Sequence, residues 1–151
     1  MATLENAIRI AAEAHSGQVD KASAPYILHP LRVMLSLNTT EDRIVGVLHD
    51  VCEDCPGWDF DRLRKEGFQD ELIAALDSVA KRSGESYDQF VERAARNPIG
   101  RRVKLADLYD NCDLSRISNP SDRDFARIER YKRSISYIQG LDIDESGDIV
   151  S

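Results

Sequence analysis

The stretch Ile44-Val45-Gly46-Val47-Leu48-His49-Asp50-Val51-Cys52-Glu53-Asp54 decides how the rest of the chain is read. Its apolar residues recur at helical rather than alternating spacing. With Thr40 as a cap before it and Pro56-Gly57 breaking the chain after it, the run predicts a helix ending near Asp54. His49 and Asp50 stand inside this apolar run, where ionisable groups are costly unless they are paired or bound to metal. Glu53 follows His49 by four residues and Asp54 follows Asp50 by four, so all four side chains can line one broad side of the helix end. Imidazole with carboxylate suits manganese, iron, zinc or magnesium. Neighbouring carboxylates tend to split their pKa values, which helps acid–base work. Taken alone, the cluster is equally compatible with a solvated acidic helix end.

Outward from this stretch, helical spacing dominates in both directions. Towards the N-terminus, Thr3 caps a helix to about Ala14, and Pro30 sits in the first turn of another to about Leu37. Towards the C-terminus, Asp59 caps a short helix to Lys65, and Asp70 starts the next. Tyr87, Phe90, Val91 and Ala94 form the stripe of a further helix. Pro98 and Gly100 separate that helix from one running over about Arg101–Leu114. Ser121 or Asp122 caps a last long helix through Ile138, with Phe125, Ile128, Tyr131, Ile135 and Ile138 inward. Strand patterns and internal repeats are absent. The expected fold is an all-α helical bundle in a single domain over residues 1–151, with an acidic, flexible tail over 141–151.

The composition, 42% hydrophobic and 31% charged, is that of an ordinary globular chain. No apolar run approaches about 18 residues, and no basic segment leads into an apolar core at the N-terminus, so a cytoplasmic protein without a membrane partner is expected. The net charge of −7 argues against broad nucleic-acid binding, although a metal ion and a few bases can still make one pocket attractive to a small phosphorylated ligand. Three cysteines fit a reducing compartment. Cys52 and Cys55 form a single C-x-x-C with no second pair to complete a zinc site, so Cys52 is expected to pack as a small apolar side chain.

Two further segments give the His-Asp pair its meaning. One is Ala14-His15-Ser16-Gly17-Gln18-Val19-Asp20-Lys21-Ala22-Ser23-Ala24-Pro25-Tyr26-Ile27-Leu28-His29-Pro30, with His29 at a helix start. The other is Val103-Lys104-Leu105-Ala106-Asp107-Leu108-Tyr109-Asp110-Asn111, with Asp107 interrupting an apolar helix. Each alone has a bland reading, a helix-start histidine and a buried hydrogen-bonding carboxylate. Together they resemble the H…HD…D signature of the HD superfamily. From about Ala11 to Tyr131 they closely resemble the hydrolase domain of Rel/Spo-type guanosine tetraphosphate enzymes and the stand-alone small alarmone hydrolases.

That resemblance implies an HD-domain helical bundle. It also implies a divalent metal, usually Mn2+, held by His29, His49, Asp50 and Asp107. Glu53 and Asp54 match the carboxylates that assist the attacking water. Lys21 and Asn111 match substrate-pocket residues. The implied reaction is removal of the 3′-diphosphate from a guanosine tetra- or pentaphosphate, without the synthetase domain that follows in long relatives. His15 lies in a motif position outside the family's ligand set and is assigned a structural role. Arg32, Lys81, Arg82, Arg101, Arg102 and Lys104 are candidates to offset phosphate charge, with most of them expected at the surface. Asp20 and Leu114 depart from the family pattern, where an arginine and a small hydroxyl residue are common. They keep open an HD hydrolase acting on another phosphorylated nucleotide or an RNA end. A non-catalytic nucleotide-sensing module is a separate alternative, and the presence of every matched ligand and carboxylate stands against it.

Overall fold

The central element is a helix whose residues Ile44, Val45, Gly46, Val47 and Leu48 are all buried, because other helices cover every side of it. In the computed structural model, which describes residues 2–150, the order is α1 (Leu4–Ala14), α2 (Leu28–Ser36), α3 (Thr40–Leu48), α4 (Val51–Asp54), α5 (Phe60–Lys65), α6 (Asp70–Ser78), α7 (Tyr87–Arg96), α8 (Pro98–Asn111) and α9 (Asp122–Gln139). Among the described residues there is no strand beyond isolated bridges, and no helix is long and apolar enough to cross a membrane. Helices α1, α2, α6 and α8 pack around α3. A second, smaller core of Val91, Ala95, Leu108, Ile135 and Ile138 joins α7, α8 and α9. Helix α8 therefore belongs to both cores, with Val103 facing the first and Leu108 the second.

Side-chain caps set most helix starts. Thr3 accepts from the Asn6 N–H, Asp59 from Arg62, and Ser86 and Ser121 close full capping boxes with Gln89 and Asp124. Four expectations about the helices are corrected. Thr39, not Thr40, caps α3. The predicted helix to Asp54 is broken in two, because His49 and Asp50 form a turn between α3 and α4. Helix α8 starts at Pro98 rather than Arg101: Asn97 caps it, and proline is preorganised for the first helical position. Phe125 points outward and is exposed, while Ile128, Ile135 and Ile138 are buried as the stripe predicts. Residues 143 to 149 form a turn closed by an Ile143–Ile149 bridge, and the Arg101 guanidinium donates to the Gly147 carbonyl.

Gly100 is inside α8 for a packing reason. A Cβ there would fall within contact distance of Ser78 Oγ and 3.2 Å from the Ala94 carbonyl. Gly100→Ala should destabilise the protein by about 1–3 kcal/mol despite alanine's better helix propensity. Removing the Ser78 hydroxyl as well should restore much of the loss. Denaturant titration of the single and double variants checks this.

Candidate active site

His29 is the second residue of α2, with Pro30 after it in the first turn and its own backbone N–H bonded to the Tyr26 carbonyl. The break between α3 and α4 turns His49 and Asp50 towards it. The imidazole rings of His29 and His49 stand 5.2 Å apart at a steep angle. His29, His49 and Asp50 each offer one ligand atom, and these atoms lie within 4.8 Å of one another, a grouping that could hold a metal ion. Asp107, on the facing side of α8, places Oδ1 2.9 Å from His29 Nε2 and 3.3 Å from His49 Nε2. Asn111 donates to the same Asp107 oxygen at 3.1 Å, and Lys104 donates to the other at 3.1 Å. The Tyr26 hydroxyl donates to Asp50 Oδ2 at 2.6 Å.

The donor chemistry fits a divalent cation. His49 Nδ1 is committed to the Gly46 carbonyl at 2.6 Å, so its Nε2 faces the cluster. That Nε2 is buried and makes no hydrogen bond among the described residues, although Asp50 Oδ2 lies 3.0 Å away out of hydrogen-bond geometry. A buried polar atom without a partner, next to two carboxylates and a second imidazole, is what a metal would satisfy.

Electrostatics lead to the same conclusion. Burial opposes charging of His49, but Asp50 and Asp107 outweigh it and hold its pKa well above the usual value. His29 is raised against burial by its hydrogen bonds to Asp107 and Asp110. Burial works against the Asp107 charge, while Lys104 and the two histidines pull its pKa well down. Metal-free protein therefore keeps these imidazoles protonated to higher pH than a free histidine would be. These raised pKa values stabilise the metal-free fold fully below about pH 6.5, the unfolded histidine value, and that contribution fades as pH rises through the higher folded values. Metal binding has the opposite sign, because it must expel those protons. Metal affinity should rise with pH, by about tenfold per unit for each proton released, in calorimetric titrations between pH 6 and 8.

Glu53 and Asp54 lie exposed on α4 beside this cluster, with Glu53 Oε1 accepting the Lys81 N–H at 3.2 Å. Desolvation by the surrounding walls, joined by the Asp50 charge, pushes both carboxyls above the usual range. From His29, Tyr26 and Asn111 a cavity of about 490 Å³ opens past Lys21, Arg116 and Arg127, with Leu114, Ile117 and Ile128 forming its apolar side. Desolvation and the Arg127 charge lower the Lys21 pKa. Asp20 also lines the cavity, but its carboxylate accepts the backbone N–H groups of Ala22 and Ala24, which holds the loop that carries Lys21.

His15 stands apart from the cluster. It is buried, with Nδ1 2.8 Å from Gln18 Oε1 and 3.3 Å from Cys55 Sγ, and its ring packs 5.0 Å from that of Tyr26. Cys55 is thus the buried member of the C-x-x-C, and burial raises the Cys52 thiol to about 12. Lys104 and Arg101 are not surface residues: both are buried, Lys104 against Asp107 and Arg101 under the tail turn. Tyr26 and Asp110 were not singled out from sequence. Asp110 follows Asp107 by three residues, a spacing that shares one helix face and was the available signal.

No family model matches the chain. Curated relatives do. The chain is 30% identical over 120 residues to a guanosine-3′,5′-bis(diphosphate) 3′-pyrophosphohydrolase of Aquifex aeolicus, covering 72% of this chain and 17% of that protein. It is 28% identical over 134 residues to a probable GTP pyrophosphokinase of Mycobacterium leprae, covering 80% of this chain and 17% of the relative. The chain thus spans about a sixth of the length of these relatives. A solved structure described as a metazoan orthologue of SpoT that hydrolyses ppGpp superposes with a TM-score of 0.75 at 20% identity, covering 93% of this chain and 87% of that one. The chain resembles a Rel/Spo-type HD hydrolase domain. Its fold is the HD helical bundle. In this HD bundle the His-Asp pair lies at the α3–α4 break, between the helices that carry His29 and Asp107.

Proposed function

We propose that this HD bundle is a metal-dependent phosphohydrolase acting on a guanosine tetra- or pentaphosphate and releasing pyrophosphate from the 3′ position. One observation carries the reading. His29, whose ligand atom gathers with those of His49 and Asp50 and has Asp107 beside it, lines a cavity that leads out past a lysine. His29, His49, Asp50 and Asp107 would hold the ion, with Mn2+ as the preferred metal. The ion supplies Lewis-acid polarisation of a phosphoryl oxygen and a lowered pKa for water.

The protein's own groups do the rest. Glu53 and Asp54 orient the attacking water and take its proton. As the new P–O bond forms, the bond from phosphorus to the ribose 3′ oxygen breaks, and that oxygen collects a proton. Asn111, on the cavity wall, holds Asp107 in place, and Lys21, on the same wall, meets phosphate charge. Such a domain would span residues 1–151 and work in the cytoplasm on a small nucleotide.

The deciding experiment is pyrophosphate release from guanosine tetraphosphate by metal-stripped protein, with and without Mn2+. Manganese-dependent release is the expected result. No release with the metal demonstrably bound would remove this substrate.

A second reading has its own support. Around the cavity Arg32 pairs with Asp110, Arg116 with Asp113 and Arg127 with Asp124, so Lys21 is the pocket cation with no ion pair among the described residues. A pocket so balanced also suits a phosphorylated nucleotide carrying less distal charge. A panel of 2′- and 3′-phosphorylated nucleotides separates the two readings.

A further inference from the structure

We propose that Asp110 is a positioning residue that fixes His29 in the tautomer leaving Nε2 free for the metal; this rests on the metal reading above. His29 Nδ1 and Asp110 Oδ2 are 2.6 Å apart, a short contact of the charge-assisted kind. Asp110 is itself held from two sides. The Arg32 guanidinium donates to both its carboxylate oxygens, at 2.7 and 3.1 Å, and Arg116 donates to its backbone carbonyl at 2.9 Å.

The four groups interlock across two helices. Helix α2 presents His29 and, three residues on, Arg32. Helix α8 presents Asp107 and, three residues on, Asp110. One carboxylate of α8 faces His29 Nε2 and the other faces Nδ1, so a single helix face sets both ends of the ring. His49 shows the same arrangement by other means, since its Nδ1 is taken by the Gly46 carbonyl. Both imidazoles thus have Nδ1 occupied and Nε2 turned to one point. A neutral imidazole that donates through Nδ1 must present a lone pair at Nε2, which is the form a metal requires.

The test uses the full chain, stripped of metal and titrated with Mn2+ by calorimetry. Asp110→Leu, close in shape and unable to accept, should raise the Mn2+ Kd by about 10–100-fold while the circular dichroism stays that of wild type. Asp110→Asn restores a neutral acceptor and should recover part of the loss, which a merely structural role would not do. Independently of any variant, 15N spectra of the wild-type protein loaded with diamagnetic Zn2+ should show the His29 proton on Nδ1. A proton on Nε2, or a Kd for Asp110→Leu within twofold of wild type, overturns the proposal and leaves the metal reading standing. Wild-type protein that takes up neither ion overturns both.

Discussion

Asp107→Ala should abolish metal-dependent turnover and also cost the fold about 3–5 kcal/mol, because it removes the partner of a buried cation. Lys104 Nζ lies 3.1 Å from Asp107 Oδ2, and both residues are buried. Lys104 keeps its charge there against burial because Asp107 raises its pKa. The alanine variant leaves that ammonium without its counter-ion and removes the hydrogen-bond partner of Asn111 and His29 as well. Thermal denaturation and Mn2+ calorimetry on the same preparation measure both losses. The two can be separated. Lys104→Met combined with Asp107→Asn removes the buried charges together and should recover most of the stability, yet remain inactive. A metal affinity unchanged in Asp107→Ala would end the assignment of this residue as a ligand.

The double variant Glu53→Gln, Asp54→Asn should behave in the opposite way, losing turnover by about 10²–10⁴-fold while the protein stays as stable as wild type or becomes more so. The sign follows from the raised pKa values of both carboxyls. A carboxyl whose folded pKa exceeds its unfolded value favours the fold in its protonated form. That contribution is complete below the unfolded pKa and is lost as pH rises through the folded one. Above their folded pKa values both groups are ionised at a cost to the fold, and amides remove the cost. The variant should still bind Mn2+, because neither residue belongs to the group that gathers around His29. A melting temperature at or above wild type, with kcat reduced and the Mn2+ Kd retained, is the expected pattern. Turnover near the wild-type rate would exclude these two as the groups that handle the water.

The helices were legible in the sequence wherever a local signal decided them. Thr3, Asp59 and Ser121 are capping residues directly before apolar stripes, and each caps its helix. Structure departs from the local pattern at a few helix ends. Of two successive threonines, Thr39 rather than the expected Thr40 caps α3, its hydroxyl accepting the Asp42 N–H. Pro98 with Gly100 reads as a breaker, but here Pro98 opens the helix and Gly100 keeps it close to Ser78. The turn at His49-Asp50 is invisible to periodicity because apolar residues continue on both sides of it.

The residue types around the candidate centre were likewise readable, since a histidine or aspartate inside an apolar helix stands out. The contacts that orient them were not. Tyr26 reaches Asp50 across 24 positions, and Asp110 reaches His29 across 81, distances over which a single sequence carries no pairing signal. Lys104 looked like a surface base because its counter-ion is on its own helix and its burial comes from the packing of aromatic residues, with Phe90 4.4 Å from the ammonium.

The unequal way in which the two histidines are held has a kinetic consequence. His49 is oriented by a carbonyl three residues back, so its half of the centre can form as soon as α3 does, on the time scale of local helix formation. His29 waits for partners 78 and 81 residues away, and such contacts need the loop between them to close first. During refolding, helical signal should therefore return before the capacity to take up metal. An ion added at the start would report the arrival of α8 against α2, the event that completes the molecule, and not the appearance of its helices.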